Sequence, residues 1–114
     1  MLALNQFTGT EHYYRHTPNM LLTDGTKYLA DEAGAYWLMD VIASYLDKIE
    51  DGFAIAELTV THGDKAFFSL ADDKPANKFF ATQSIPYTDF PLEEIKLYVI
   101  QDGESWVCLL PSEY

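Results

Sequence analysis

The period of the apolar pattern changes at Gly52, and this restricts the chain to folds that combine helix with sheet. From Lys27 to Lys48 the spacing is helical: Leu38, Ile42, Tyr45 and Ile49 fall at i, i+4, i+7 and i+11, on one helix face. Ala30, Ala33, Trp37 and Val41 form a second stripe beside it. A helix apolar on two sides needs more than one covering neighbour. Gly34 is placed to bend or split this segment, because glycine inside a helix costs about 1 kcal/mol relative to alanine. Asp51-Gly52 closes it.

After Gly52 the period is two. Ala56, Leu58 and Val60 alternate with Glu57, Thr59 and Thr61, and Ala66, Phe68 and Leu70 make the next inward row. His62-Gly63-Asp64 and Asp72-Asp73-Lys74-Pro75 read as turns, and Phe79 to Ser84 is extended again. Pro86 and Pro91 bracket an irregular stretch, and Leu92-Glu93-Glu94 is read as one helical turn. Ile95, Leu97 and Val99 alternate inward, and Asp102-Gly103 joins them to Trp106–Leu110 as a hairpin. Before the helix, Phe7–Thr10 reads as an entry loop. Glu11–His16 and Met20–Thr23 read as short extended pieces around a Thr17-Pro18-Asn19 turn, with Thr23 or Asp24 as helix N-cap. The expected fold is a single α+β domain over residues 1–114. It has two layers: an antiparallel sheet of about five strands, with one main helix packed on one face.

Charge limits the function. Eighteen Asp and Glu against seven Lys and Arg give a net charge of −11, with acids spread from Glu11 to Glu113 rather than gathered in a tail. Such a field repels nucleic acid and membranes and attracts basic protein surfaces. Direct nucleic-acid binding is further disfavoured by a single arginine and no basic patch. An apolar fraction of 48% supports a packed core and argues against disorder. The longest apolar run, Ala33–Leu46, has Asp40 as its only charge and is shorter than the roughly 20 residues a membrane span needs. The start of the chain lacks a basic segment followed by an apolar one, so no signal peptide and a cytoplasmic location are expected. Cys108, the only cysteine, excludes an internal disulfide and a cysteine-based zinc site, and its apolar surroundings predict a buried thiol.

Candidate chemistry is sparse. His12 and His16 are four apart beside Glu11, but the Tyr-Tyr-Arg between them and the following Pro18 favour a strand, which puts His12, Tyr14 and His16 on one face. No third metal ligand is set by spacing, and no phosphate loop or dinucleotide fingerprint occurs, so no metal or cofactor is expected. His62 with Asp64 is read as turn chemistry. Asp40, the only charge in an apolar run, is a general acid or base or a partner-binding anchor, or else one half of a structural pair with Arg15, a lysine or a hydroxyl, or simply exposed on the narrow polar strip of the helix. Tyr13, Tyr14, Tyr28, Tyr36 and Trp37 cluster in the N-terminal half as core or as interface anchors.

Several longer motifs run together. They include Phe7-Thr8-Gly9-Thr10-Glu11, Tyr14-Arg15-His16, Thr23-Asp24-Gly25, Lys27-Tyr28-Leu29-Ala30 and Ala33-Gly34-Ala35-Tyr36-Trp37-Leu38. At the other end stand Ile85–Leu97 and Leu109-Leu110-Pro111-Ser112-Glu113-Tyr114. Together they resemble a family of small uncharacterised bacterial proteins, a domain of unknown function associated with phages, plasmids and other mobile elements. The resemblance carries over no catalytic residues. It implies a protein that acts by binding a host protein, in the manner of anti-CRISPR inhibitors of host defence complexes.

Three readings follow. The first is a small acidic protein-binding module, an inhibitor that mimics nucleic acid on a basic host protein surface. Its candidate carboxylates are Asp31-Glu32, Glu50-Asp51, Asp72-Asp73 and Glu93-Glu94, with Tyr36 and Trp37 as anchors. The second is a small-ligand binder or enzyme built on His12, His16, Arg15 and Asp40. The third is a homodimeric scaffold whose helix, Ala33–Leu46, packs against its twin.

Overall fold

A computed structural model describes residues 2–74 and 78–114, so Pro75 of the expected turn lies outside the described residues. The chain runs β1 (Tyr13–Thr17), β2 (Met20–Thr23), α1 (Asp24–Glu32), α2 (Tyr36–Ser44), β3 (Phe53–Val60) and β4 (Ala66–Ala71). It continues through β5 (Phe79–Ile85), β6 (Glu94–Asp102) and β7 (Ser105–Leu109). Single 3-10 turns occupy Leu4–Gln6, Leu46–Lys48 and Pro111–Glu113.

The strands form one sheet in the order β1-β2-β7-β6-β3-β4-β5. The architecture is α+β, with four corrections to the sequence reading. Among the described residues the sheet has seven strands rather than about five, because the two short N-terminal pieces pair with each other and join the sheet. It is mixed rather than antiparallel: β2 runs parallel to β7, with Leu21 beside Val107. The single long helix is two, α1 and α2, broken where Gly34 takes φ +60°. The helical turn expected at Leu92–Glu94 is absent; Glu94 already pairs with Thr59, and Val60 N–H donates to the Glu93 carbonyl at 2.8 Å.

Both helices cover one face of the sheet. Leu38, Met39 and Ile42 of α2 are fully buried in one core with Met20 and Leu22 of β2, Phe68 and Leu70 of β4, Leu97 and Val99 of β6, and Cys108 of β7. Beyond α2, Tyr45 stacks on Phe68 with ring centroids 6.2 Å apart and donates to Gln83 of β5 at 2.8 Å. The pleat sends alternate residues the other way, and among the described residues neither α1 nor α2 covers that opposite face. One end of that face is closed by the C-terminal turn, where the Tyr114 ring meets Tyr98 at 5.4 Å and Phe53 at 6.0 Å.

The start of α1 is tightly determined. Thr23 is the N-cap, and it exchanges side-chain-to-backbone hydrogen bonds with Thr26. The Glu113 carboxylate reaches the same corner, accepting from the Thr23 hydroxyl at 2.6 Å, Gly25 N–H at 3.0 Å and Leu110 N–H at 2.9 Å. A carboxylate at a helix N-terminus is favoured by the exposed N–H groups and the helix dipole.

Candidate functional site

On the helix-free face the strand registers set out rows of outward side chains. Ile55 of β3 stands between Tyr98 of β6 and Ala71 of β4. Glu57 stands between Lys96 and Ser69, and Thr59 between Glu94 and Phe67. From these rows Ile55, Glu57, Thr59, Phe67, Ser69, Ala71 and Lys96, with Phe79 of β5, line a concavity of about 310 Å³ with Asp72 at one end, and Glu94 stands beside it next to Thr59. Phe67 and Phe79 remain 44% and 54% exposed, which is high for phenylalanine. The Glu57 and Lys96 side chains approach to 3.8 Å across the groove, and both are about half exposed. The groove is mixed in character and open to solvent: Ile55, Phe67 and Phe79 line it together with Glu57, Thr59, Ser69 and Lys96, and Asp72 is buried at its end. Among the described residues no group of three or more His, Cys, Asp and Glu is placed to hold a metal ion.

The acidic pairs expected from sequence are dispersed, and several are already engaged. Asp31 accepts from Lys27 at 2.8 Å and from the Tyr36 hydroxyl. The Lys27 ammonium, followed by that hydroxyl, holds the Asp31 carboxyl below the usual carboxylate range, and the same contact with Asp31 pushes Lys27 up to about 12. Glu50 pairs with Lys78 at 2.6 Å, and Asp51 pairs with Lys74. Asp72 is a correction: it is buried rather than presented, and its Oδ1 accepts from Lys74 N–H at 3.2 Å and Lys78 N–H at 3.0 Å. It shapes the loop after β4. Glu32, Asp73, Glu93 and Glu94 are exposed. Asp31-Glu32 end α1 in the helical layer, whereas Glu94 faces the opposite side of the sheet, so these pairs form no common patch. Trp37 packs against the core and is not an open anchor. Tyr36 is 38% exposed.

The family description that matches this chain covers residues 2–114. The chain belongs to DUF6876, a family of unknown function. Neither the curated proteins nor the solved structures return a match.

In this DUF6876 chain the second constellation comes together only in part. His16 Nε2 lies 2.7 Å from Asp40 Oδ1, and the imidazole stacks on Tyr36 at 6.0 Å. Tyr14 lies opposite Leu22 on the helix side, whereas Arg15 lies opposite Leu21 on the other side and donates to the Pro18 carbonyl at 2.8 Å. His12 is exposed and stands 3.9 Å from Asp24. Asp40 sits on the solvent strip of α2 rather than in its apolar face. The four residues therefore do not converge on one pocket.

The groove residues Phe67, Phe79, Glu57 and Lys96 were not singled out by sequence. A signal existed for Phe67. With Ala66, Phe68 and Leu70 assigned inward, Phe67 is an aromatic residue in the outward phase.

Proposed function

We propose that this chain is a small acidic protein-binding module that receives a basic protein surface on the helix-free face of its sheet. The observation that carries this reading is the open trough with exposed Phe67 and Phe79 beside Glu57 and Glu94, on a molecule of net charge −11. Aromatic side chains supply contact area, and the surrounding charge selects a cationic partner and speeds its approach. In the role implied by the family resemblance, that partner is the phosphate-binding groove of a host defence complex such as a CRISPR effector. The carboxylates occupy the groove in place of nucleic acid, and the module acts as an inhibitor in phage or mobile-element biology.

The test is capture of partners from nuclease-treated host lysate at low and high salt, by the wild type and by two variants. Phe67→Ala with Phe79→Ala removes the aromatic anchors, and Glu57→Gln with Glu94→Gln removes the two solvent-accessible carboxylates in and beside the groove. A stoichiometric basic partner that is released at high salt and lost by both variants supports the reading. A partner that both variants retain, or whose binding ignores salt, would overturn it.

A further inference from the structure

The sheet has two open edges, and they are built differently. The β1 edge is five residues long, carries Arg15 and His16, and breaks register between Arg15 and Thr17. Shortness, charge and irregularity are common means of keeping an edge strand from pairing with another chain. The β5 edge is seven residues long and contains no charge and no proline. Its one irregularity lies at its start, opposite Leu70 and Ala71, and from Ala81 to Ile85 it is regular. Neither an acid nor a lysine or arginine occurs between residues 79 and 88.

We infer that β5 is a self-association edge, pairing antiparallel with β5 of a second copy across a two-fold axis to make one continuous sheet. Charge identifies the occupant. Two copies that each carry −11 meet with least like-charge contact along an uncharged line, and β5 provides one. A basic peptide strand would find no carboxylate on β5 to recognise. An axis through Gln83 keeps the regular stretch in register. Ala81 then lies opposite Ile85 of the second copy on the helix side, and Thr82 opposite Ser84 of the second copy on the open face. Apolar and hydroxyl pairs of this kind stabilise antiparallel strands. A two-fold, self-complementary contact is also the commonest form of homo-oligomer. Pairing through the helix has less to offer, because Leu38, Met39 and Ile42 are 0–1% exposed within the single chain.

The test is sedimentation equilibrium of the full chain over a range of protein and salt concentrations, with amide hydrogen exchange on the same samples. The expected result is a monomer–dimer equilibrium whose Kd falls about tenfold between about 0.05 M and about 0.5 M NaCl, as screening relieves the mutual repulsion. Binding of a basic partner has the opposite salt dependence. In concentrated wild-type samples the β5 amides exchange more slowly than in dilute ones, a readout that requires no variant. Thr82→Lys with Ser84→Lys alters two exposed side chains and sets lysine opposite lysine twice across the axis, so this variant is monomeric with an unchanged circular dichroism spectrum. Three results overturn the inference: a monomer under all conditions, a dimer that the lysine variant retains, or a dimer whose β5 amides exchange as fast as the monomer's.

Discussion

Glu113 ties the end of the chain to the beginning of its first helix. Its carboxylate serves three donors, and two of them, the Thr23 hydroxyl and Gly25 N–H, belong to the corner where β2 becomes α1. Removing it strands these donors at a partly buried site. Glu113→Ala is expected to lower unfolding free energy by about 2–3 kcal/mol, and Glu113→Gln by about half as much, as measured by urea denaturation. Gly25 is required by the same contact. A Cβ there would stand 2.5 Å from Leu110 Cδ1 and 2.6 Å from Glu113 Oε1, so Gly25→Ala should destabilise through the same corner. Asp24, next in sequence, accepts from Glu11 N–H at 2.9 Å and from the Tyr14 hydroxyl at 3.1 Å. Those bonds, the backbone one first, hold its carboxyl below the usual range in the folded state. Its contribution is therefore complete above the ordinary carboxylate pKa and is lost as pH falls through the depressed folded value. In urea titrations the gap between wild type and Asp24→Asn should be widest near neutrality and should close in acid. Thr23-Asp24-Gly25 and Leu109–Tyr114 were visible as separate motifs. Their meeting was not, because nothing local in either segment refers to the other.

At the scale of elements, the break at Gly34 decides the helical layer. With φ at +60°, Gly34 ends α1 and lets the chain re-enter as α2 two residues later. The space around a Cβ at Gly34 is open, so Gly34→Ala tests the backbone alone. A loss of about 1 kcal/mol is expected from thermal or urea unfolding, with the fold retained. The position of the break was legible, since glycine interrupted an otherwise continuous helical pattern. Alternation made β3, β4 and β6 legible for a physical reason: each has one face on the core and one face largely open, whereas β7 is buried on both faces and was legible through its Asp102-Gly103 turn. Leu58, Phe68, Leu70, Leu97 and Val99 accordingly sit inward. Strand order was beyond reach, because β6 enters between β3 and β7 only after the chain has travelled out to β5 and returned. The candidate site was legible as charge and not as geometry. Glu50, Asp51 and Asp31 stood out as carboxylates, but their lysines come from other positions in the fold or from the adjoining helical turn. The open groove needs four strands, β3 to β6, in register before it exists.

On the scale of the whole molecule, the parallel contact between β2 and β7 joins segments far apart in the sequence, one strand in from the β1 edge of the sheet. Leu21 finds Val107 and Leu22 finds Cys108. Contacts of such sequence separation close late and slow folding, so refolding followed by stopped-flow fluorescence should fall in the millisecond-to-second range of sheet-rich domains, at about 1–1000 per second. A circular permutant that joins the original termini and opens in the exposed Thr61–Lys65 turn should refold faster. For the chain as it is made, the same contact acts as a timer. Met20 and Leu22 leave the ribosome 86 residues ahead of Trp106 and Cys108, the β7 residues beside them. For that interval β2 has the helices to pack against but an unpaired strand edge where β7 belongs. Its risk of sticking to the wrong surface is then set by the speed of synthesis, a quantity that no single contact in the finished fold records.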